Sequence, residues 1–250
     1  MFSTHYVSPS DQTQNIYAAG NTNEATQCRQ IATLLVEALA RSGVEGRTNL
    51  TASMAERVRE SNAWGADVHV CLHTNAYPEK EGEREVSGTR IFCYELGGAG
   101  NRACIAVMAR LAPITPGTSD NITARPELYE CRVASAPTVY VEIDFHDVAE
   151  VALWIIGHKA DIAEAIAHGL CDYFAIPYAA PQMSGKRYRT LGDVRADKEV
   201  APFYLPTLEL LIAQGALKGK GGTGDALILD LSEDAIRLLV ILNRLQLFEN

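Results

Sequence analysis

Apolar residues recur along this chain in two rhythms, one of period two and one near 3.6, and their alternation sketches the architecture. VHVCLH (68–73) and PTVYVEIDF (137–145) read as strands, the second apolar at almost every position, as a strand covered on both faces is. HYVS near the N-terminus and TRIFCYE around residue 92 are shorter strand signals. Ile31, Leu34, Leu35, Ala38 and Leu39 fall at helical spacing and predict a helix over 24–42, ended by Gly43. Further helices are predicted over 52–64, NRACIAVMARLAPI (101–114) and ADIAEAIAHGLCDYF (160–174), with a charged loop at 77–88. Strands alternating with helices predict an α/β domain.

The pattern changes near residue 177. PYAAPQMSGKR (177–187) carries two prolines and a glycine, so the expected division is a first domain at 1–177, a linker at 178–187 and a small helical domain at 188–250. Within that small domain a helix is predicted through LPTLELLIAQ up to Gly215. A second follows LS, with Ser232 as N-cap and Glu233 and Asp234 suited to the positive end of the helix dipole. A core of about 60 residues is marginal alone, which favours packing on the first domain or self-association as a homodimer.

Composition narrows the function. Hydrophobic residues make up 47% and charged residues 21% of the chain, the mix of an ordinary globular protein, and the net charge of −9 disfavours nucleic acid as a partner. No run of about 18 apolar residues occurs, so no membrane partner is expected. The start, MFSTHYVSPSD, lacks a basic n-region and a long apolar h-region, and the expectation is accumulation in the cytoplasm. Six scattered cysteines without a C-x-x-C pair read as reduced core residues.

Ligands of open α/β sheets gather outside the carboxyl ends of the strands. His73 stands where VHVCLH ends; His69 shares its face but lies roughly 13 Å back along the strand, too far for one metal ion. Two acids can partner His73: Glu24, which opens the first long helix, and Glu142, set late in an apolar strand where a carboxylate is expensive unless it has a metal, a donor or a proton to handle. One histidine and two carboxylates suit a hydrolytic zinc site, one carboxylate binding the ion and the other activating water. His146 and Asp147 read as supporting or loop polar groups, His5 as lying at the wrong sheet edge, and His158 and His168 as structural.

SPSDQTQNIYAAGNTNEATQC, SNAWGADVHVCLHTNA, GTRIFCYE and PTVYVEIDFHD, in this order over residues 4–176, resemble the zinc-dependent N-acetylmuramoyl-L-alanine amidases of the amidase-3 group, with the closest likeness to Firmicutes and phage members. The resemblance implies a mixed sheet flanked by helices and hydrolysis, in peptidoglycan, of the amide between N-acetylmuramic acid and L-alanine. It implies Glu24 and His73 as zinc ligands and Glu142 as the base and acid that moves the proton from water to the leaving amine. Asn75 would hold its loop or contact substrate. Such amidases carry another zinc-binding histidine just after the first strand; here the turn reads SPSDQ, leaving Asp11 or Gln12 as the third ligand, Asp11 being the better on chemical grounds. RTLGDV, LELLIAQGALKG and DLSEDAIRLLVIL resemble an S-layer-homology-like module, implying a wall polymer as partner. The implied role is a phage or prophage endolysin released to the cell wall. The competing expectations are a host wall-remodelling or spore amidase and, because of the absent histidine, a non-catalytic wall-binding protein.

Overall fold

The computed structural model describes residues 3–77, 87–181 and 186–244. Most of the charged loop expected at 77–88 and some of the linker expected at 178–187 lie outside the described residues. The chain divides into two compact units, Met1–Pro181 and Gln182–Asn250.

The first unit is built on six strands: β1 (Thr4–Pro9), β2 (Glu45–Thr48), β3 (Val68–Asn75), β4 (Arg90–Cys93), β5 (Asn121–Ala124) and β6 (Thr138–Phe145). They are ordered β2-β1-β3-β6-β4-β5. The first four run parallel, and β4 turns antiparallel to β6 and carries β5 parallel to itself, so the sheet is mixed. Among its described residues the unit also holds six α-helices: α1 (Glu24–Arg41), α2 (Met54–Trp64), α3 (Ala99–Leu111), α4 (Tyr129–Val133), α5 (Ala149–Gly157) and α6 (Lys159–Phe174). This is the expected architecture of a mixed sheet flanked by helices.

Strand alternation gives the two faces of the sheet different chemistry. Val7, Val70, Leu72, Val139 and Val141 point to one face and form a continuous core with Ile31 and Leu35 of α1, Val107 of α3 and Ile162 and Ile166 of α6. At Gly169 of α6 the helices approach so closely that a Cβ would stand 2.5 Å from Val107 Cα and 2.7 Å from the Ala106 carbonyl oxygen. The register of β1, β3 and β6 places Ser8, His69, Cys71, His73, Tyr140 and Glu142 on the other face. The sheet is irregular at its carboxyl end: His73 pairs with Glu142 but Asn75 pairs with Phe145, so β6 carries one extra residue.

Local signals place the helices that serve this end. Asn23 caps α1 by accepting from Thr26 N–H, which makes Glu24 the first helical residue. Ser53 and Glu56 form a capping box at α2, and Gly65, at φ 71°, ends it in the left-handed region. Pattern reading misses β2, β5, α4 and α5. EGRT and NITA are four-residue strands with only half-buried or exposed positions, too short and too polar for an alternation signal.

The second unit contains β7 (Arg187–Thr190), α7 (Leu191–Ala196), α8 (Ala201–Ala213), β8 (Ile228–Ser232) and α9 (Glu233–Arg244). Its core gathers Tyr188, Leu191, Val194, Tyr204, Leu208, Leu229 and Ile236. The helical expectation holds for α8 and α9, and the antiparallel pair β7–β8 adds a small sheet that the helical reading omits. No helix among the described residues is long and apolar enough to cross a membrane.

Candidate active site

The carboxyl ends of β1, β3 and β6 and the start of α1 converge on His73. Its Nδ1 donates to Glu24 Oε1 at 2.8 Å, and Gln12 Nε2 lies 3.4 Å from the same nitrogen. Asn15 Nδ2 ties these groups together, donating to Glu24 Oε2 at 2.6 Å and to Gln12 Oε1 at 3.0 Å. The Tyr140 ring stacks on the imidazole, centroids 4.5 Å apart. On its far side His73 Nε2 is 3.8 Å from Glu130 Oε2, an ion-pair separation.

Glu142 occupies the position on β6 directly beside His73. Its Oε2 is shut off from solvent and has no hydrogen-bond partner among the described residues. Burial pushes its carboxyl up to about 7; the His73 charge opposes this and the Glu24 charge adds to it. Burial alone would lower the His73 pKa, but its contacts with Glu130 and Glu24 and the charge of Glu142 raise it to about 10. Glu24, which burial would raise, is held low chiefly by His73, with Asn15 and Ser10 assisting.

Of the residues singled out from the sequence, Glu24, His73, Glu142 and Gln12 come together. Asp11 does not: its Oδ2 accepts from Met54 N–H at the start of α2, 3.1 Å away, and lies 3.7 Å from Arg57. On chemistry alone Asp11 is the stronger oxygen donor, yet its carboxylate is committed to a helix start. The Asn75 side chain accepts from Ala76 N–H at 2.9 Å, which holds the turn after β3. His146 is buried, stacks on Tyr17 and bonds Thr74 through Nδ1; Asp147 accepts from Tyr77 N–H. His5 is buried against Phe174.

Sequence reading misses Glu130, on the five-residue helix α4. It is buried, with Oε1 accepting from Ser8 Oγ at 2.5 Å and from His69 Nε2 at 3.1 Å. Nothing in the sequence signals it, because a glutamate in a short irregular stretch ordinarily faces water. His69, Cys71 and Glu130 also offer ligand atoms within 4.8 Å of one another. All six cysteines are free and buried, as expected of core thiols.

A divalent cation suits the His73 pocket on electrostatic grounds. Three carboxylates, Glu24, Glu130 and Glu142, bear on one imidazole. An imidazole and a carboxylate are ordinary zinc ligands, and the Gln12 amide, whose nitrogen faces His73 and whose oxygen accepts from Asn15, offers a neutral oxygen as a weaker third once the amide turns over. The donor set therefore fits zinc, with one arm weaker than three charged or imidazole ligands would make it.

The profile of the Amidase_3 family, N-acetylmuramoyl-L-alanine amidase, matches residues 10–172, which include Gln12, Asn15, Glu24, His73, Glu130, Tyr140 and Glu142. The chain belongs to this family. Peptidoglycan amide hydrolysis is accordingly the function of this amidase. Solved amidases share its fold. The catalytic domain of CwlV from Bacillus (Paenibacillus) polymyxa var. colistinus has a TM-score of 0.61 at 18% identity, covering 71% of this chain and 100% of that one. AmiC2 of Nostoc punctiforme has a TM-score of 0.59 at 19% identity, covering 69% and 97%. Cwp6 from Clostridium difficile has a TM-score of 0.60 at 20% identity, covering 69% of this amidase and 29% of that longer chain. No curated protein matches the sequence.

Proposed function

We propose that this amidase cleaves the bond between N-acetylmuramic acid and L-alanine with zinc held by Glu24, His73 and the Gln12 amide oxygen, and with Glu142 as the proton carrier. The observation that carries the reading is the orphaned Glu142 Oε2, buried beside His73 with a pKa of about 7. A carboxyl poised there at neutral pH can both accept and return a proton. When bound, the ion would supply Lewis acidity, polarising the scissile carbonyl and acidifying water. Glu142 takes a proton from the attacking water and delivers it to the departing alanine nitrogen. Asn15 fixes the orientation of Glu24 and Gln12 through the hydrogen bonds it donates to both. Tyr140 keeps the imidazole in plane.

The sequence resemblance supports three finer proposals: a Firmicutes or phage origin, an endolysin that accumulates in the cytoplasm before reaching the wall, and a second unit that binds a wall polymer. One observation favours a second reading, a wall-binding protein without catalysis: an amide, Gln12, stands beside His73 where a third strong ligand is expected. Glu142 argues against it, since a binding protein gains nothing from a carboxylate with one oxygen shut from solvent and unpaired among the described residues.

The test is incubation with Gram-positive peptidoglycan, with and without a chelator, and quantification of newly exposed N-terminal alanine. Release that the chelator abolishes and added zinc restores is the expected result. Pelleting with the wall but no release would overturn the catalytic reading in favour of binding.

A further inference from the structure

Behind His73, away from Glu24, lies a buried polar chain. Arg57 of α2, only 1% exposed, donates from Nε to Ser8 Oγ at 2.9 Å. Ser8 donates to Glu130 Oε1 at 2.5 Å, and His69 Nε2 donates to the same oxygen at 3.1 Å. The remaining oxygen, Oε2, faces His73 Nε2 at 3.8 Å. Arg57 is itself held by the Ala52 carbonyl and by Asp11. Four elements, β1, α2, β3 and α4, thus fix a single carboxylate against the rear of the imidazole.

Burying this carboxylate and guanidinium is expensive unless their position matters, because a buried charge forfeits hydration that pairing only partly returns. The oxygen bearing on His73 is the one that His69 and Ser8 leave unused. An imidazole that offers one nitrogen to a metal is commonly aimed by a carboxylate on its other N–H.

We propose that Glu130 is a positioning residue for His73. Its Oε2, at ion-pair distance from Nε2, favours the ring orientation that presents Nδ1 to Glu24 and Gln12, while Ser8 and Arg57 set Glu130 in place. The inference rests on the reading of His73 as a metal ligand. It makes α4, which contributes nothing to the front of the pocket, a member of the metal-binding apparatus.

The test compares zinc affinity, by competition with a chromophoric chelator, for the wild-type chain and for Glu130→Gln, Ser8→Ala and His73→Ala. Expected are one tight zinc in the wild type, loss of binding in His73→Ala, and a 10- to 100-fold weaker affinity in Glu130→Gln. A smaller loss is expected in Ser8→Ala, which leaves the carboxylate in place and serves if Glu130→Gln does not fold. Unchanged affinity in both Glu130→Gln and Ser8→Ala would overturn the proposal. Retention of zinc by His73→Ala together with its loss in Glu130→Gln would place the ion on His69, Cys71 and Glu130, overturning both the positioning role and the metal-ligand reading of His73. A second readout is independent of metal. The His73 Nε2 resonance of the metal-free wild type, followed by 15N NMR, should move in Glu130→Gln. A resonance unmoved by the substitution sinks the proposal whatever zinc does, and one that moves while no zinc binds upholds the contact and sinks the zinc reading alone.

Discussion

His73 and Glu142 sit in direct register on neighbouring parallel strands, yet their surroundings differ sharply. The imidazole is gripped from both sides by carboxylates, whereas Glu142 keeps an oxygen with no partner among the described residues. One group is held still and the other is left able to exchange a proton.

Replacing Glu142 by glutamine separates activity from stability. Losing a general acid–base of this kind lowers turnover by about 10²- to 10⁴-fold. Because the carboxylate gains no hydrogen bond at Oε2 and is disfavoured by burial, thermal stability at neutral pH should stay level or rise. A large drop in melting temperature, followed by circular dichroism, would show that the carboxylate is structural.

Asp11 and Gln12 are adjacent in sequence and differ in consequence. Asp11→Ala removes an acceptor for Met54 N–H and a neighbour of Arg57, and should lower stability by about 1 kcal/mol with zinc stoichiometry unchanged. Gln12→Ala should weaken zinc binding with little effect on unfolding. Measured zinc content and urea unfolding of both variants check this, and equal zinc content in the two removes Gln12 as a ligand.

His5 makes the first unit acid-sensitive. Burial lowers its pKa from 6.5 to about 4, with Asp67 opposing. The unfolded chain therefore binds a proton that the folded chain refuses between these values. The contribution is fully present above about pH 6.5 and is lost as pH falls through the folded value, on the order of 3 kcal/mol. His5→Phe keeps an aromatic ring beside Phe174 and should flatten the fall in stability between neutral pH and about pH 4. An unaltered pH profile would assign the acid sensitivity elsewhere.

Gly169→Ala tests the closeness of α3 and α6. Alanine gains roughly 1 kcal/mol over glycine within a helix. Here its Cβ would meet backbone atoms of Val107 and Ala106, which cannot rotate away, and overpacking of this kind costs about 1–3 kcal/mol. Denaturant unfolding should show net destabilisation, and a stabilised variant would mean that the helices separate more readily than their packing implies.

Long, regular elements were legible in the sequence. Eighteen residues of α1 carry enough apolar repeats to declare themselves, and β6 is recognisable because Glu142 is the one carboxylate that breaks an otherwise apolar run up to Ile143. His73, Glu24 and Glu142 could be found because each violates the pattern around it or stands at an element's end. Glu130 could not. Its burial depends on His69, Ser8 and His73, residues 61, 122 and 57 positions away, and no local window contains that information. The choice between Asp11 and Gln12 was hidden for a similar reason: which side chain turns inward depends on where α2 begins.

The extra residue in β6 has a practical side. From His73 to Asn75 the β3 strand advances two residues while β6 advances three, from Glu142 to Phe145. Counting back from the aromatic that ends the strand therefore lands on a different pleat from counting forward along the apolar run. A chimera joined between residues 143 and 145 with a segment lacking the insertion would keep Glu142 beside His73 but move the residues beyond the junction, Phe145 first, onto the opposite pleat. Safe junctions lie before Val139 or beyond His146, where the phase of the strand is no longer at stake.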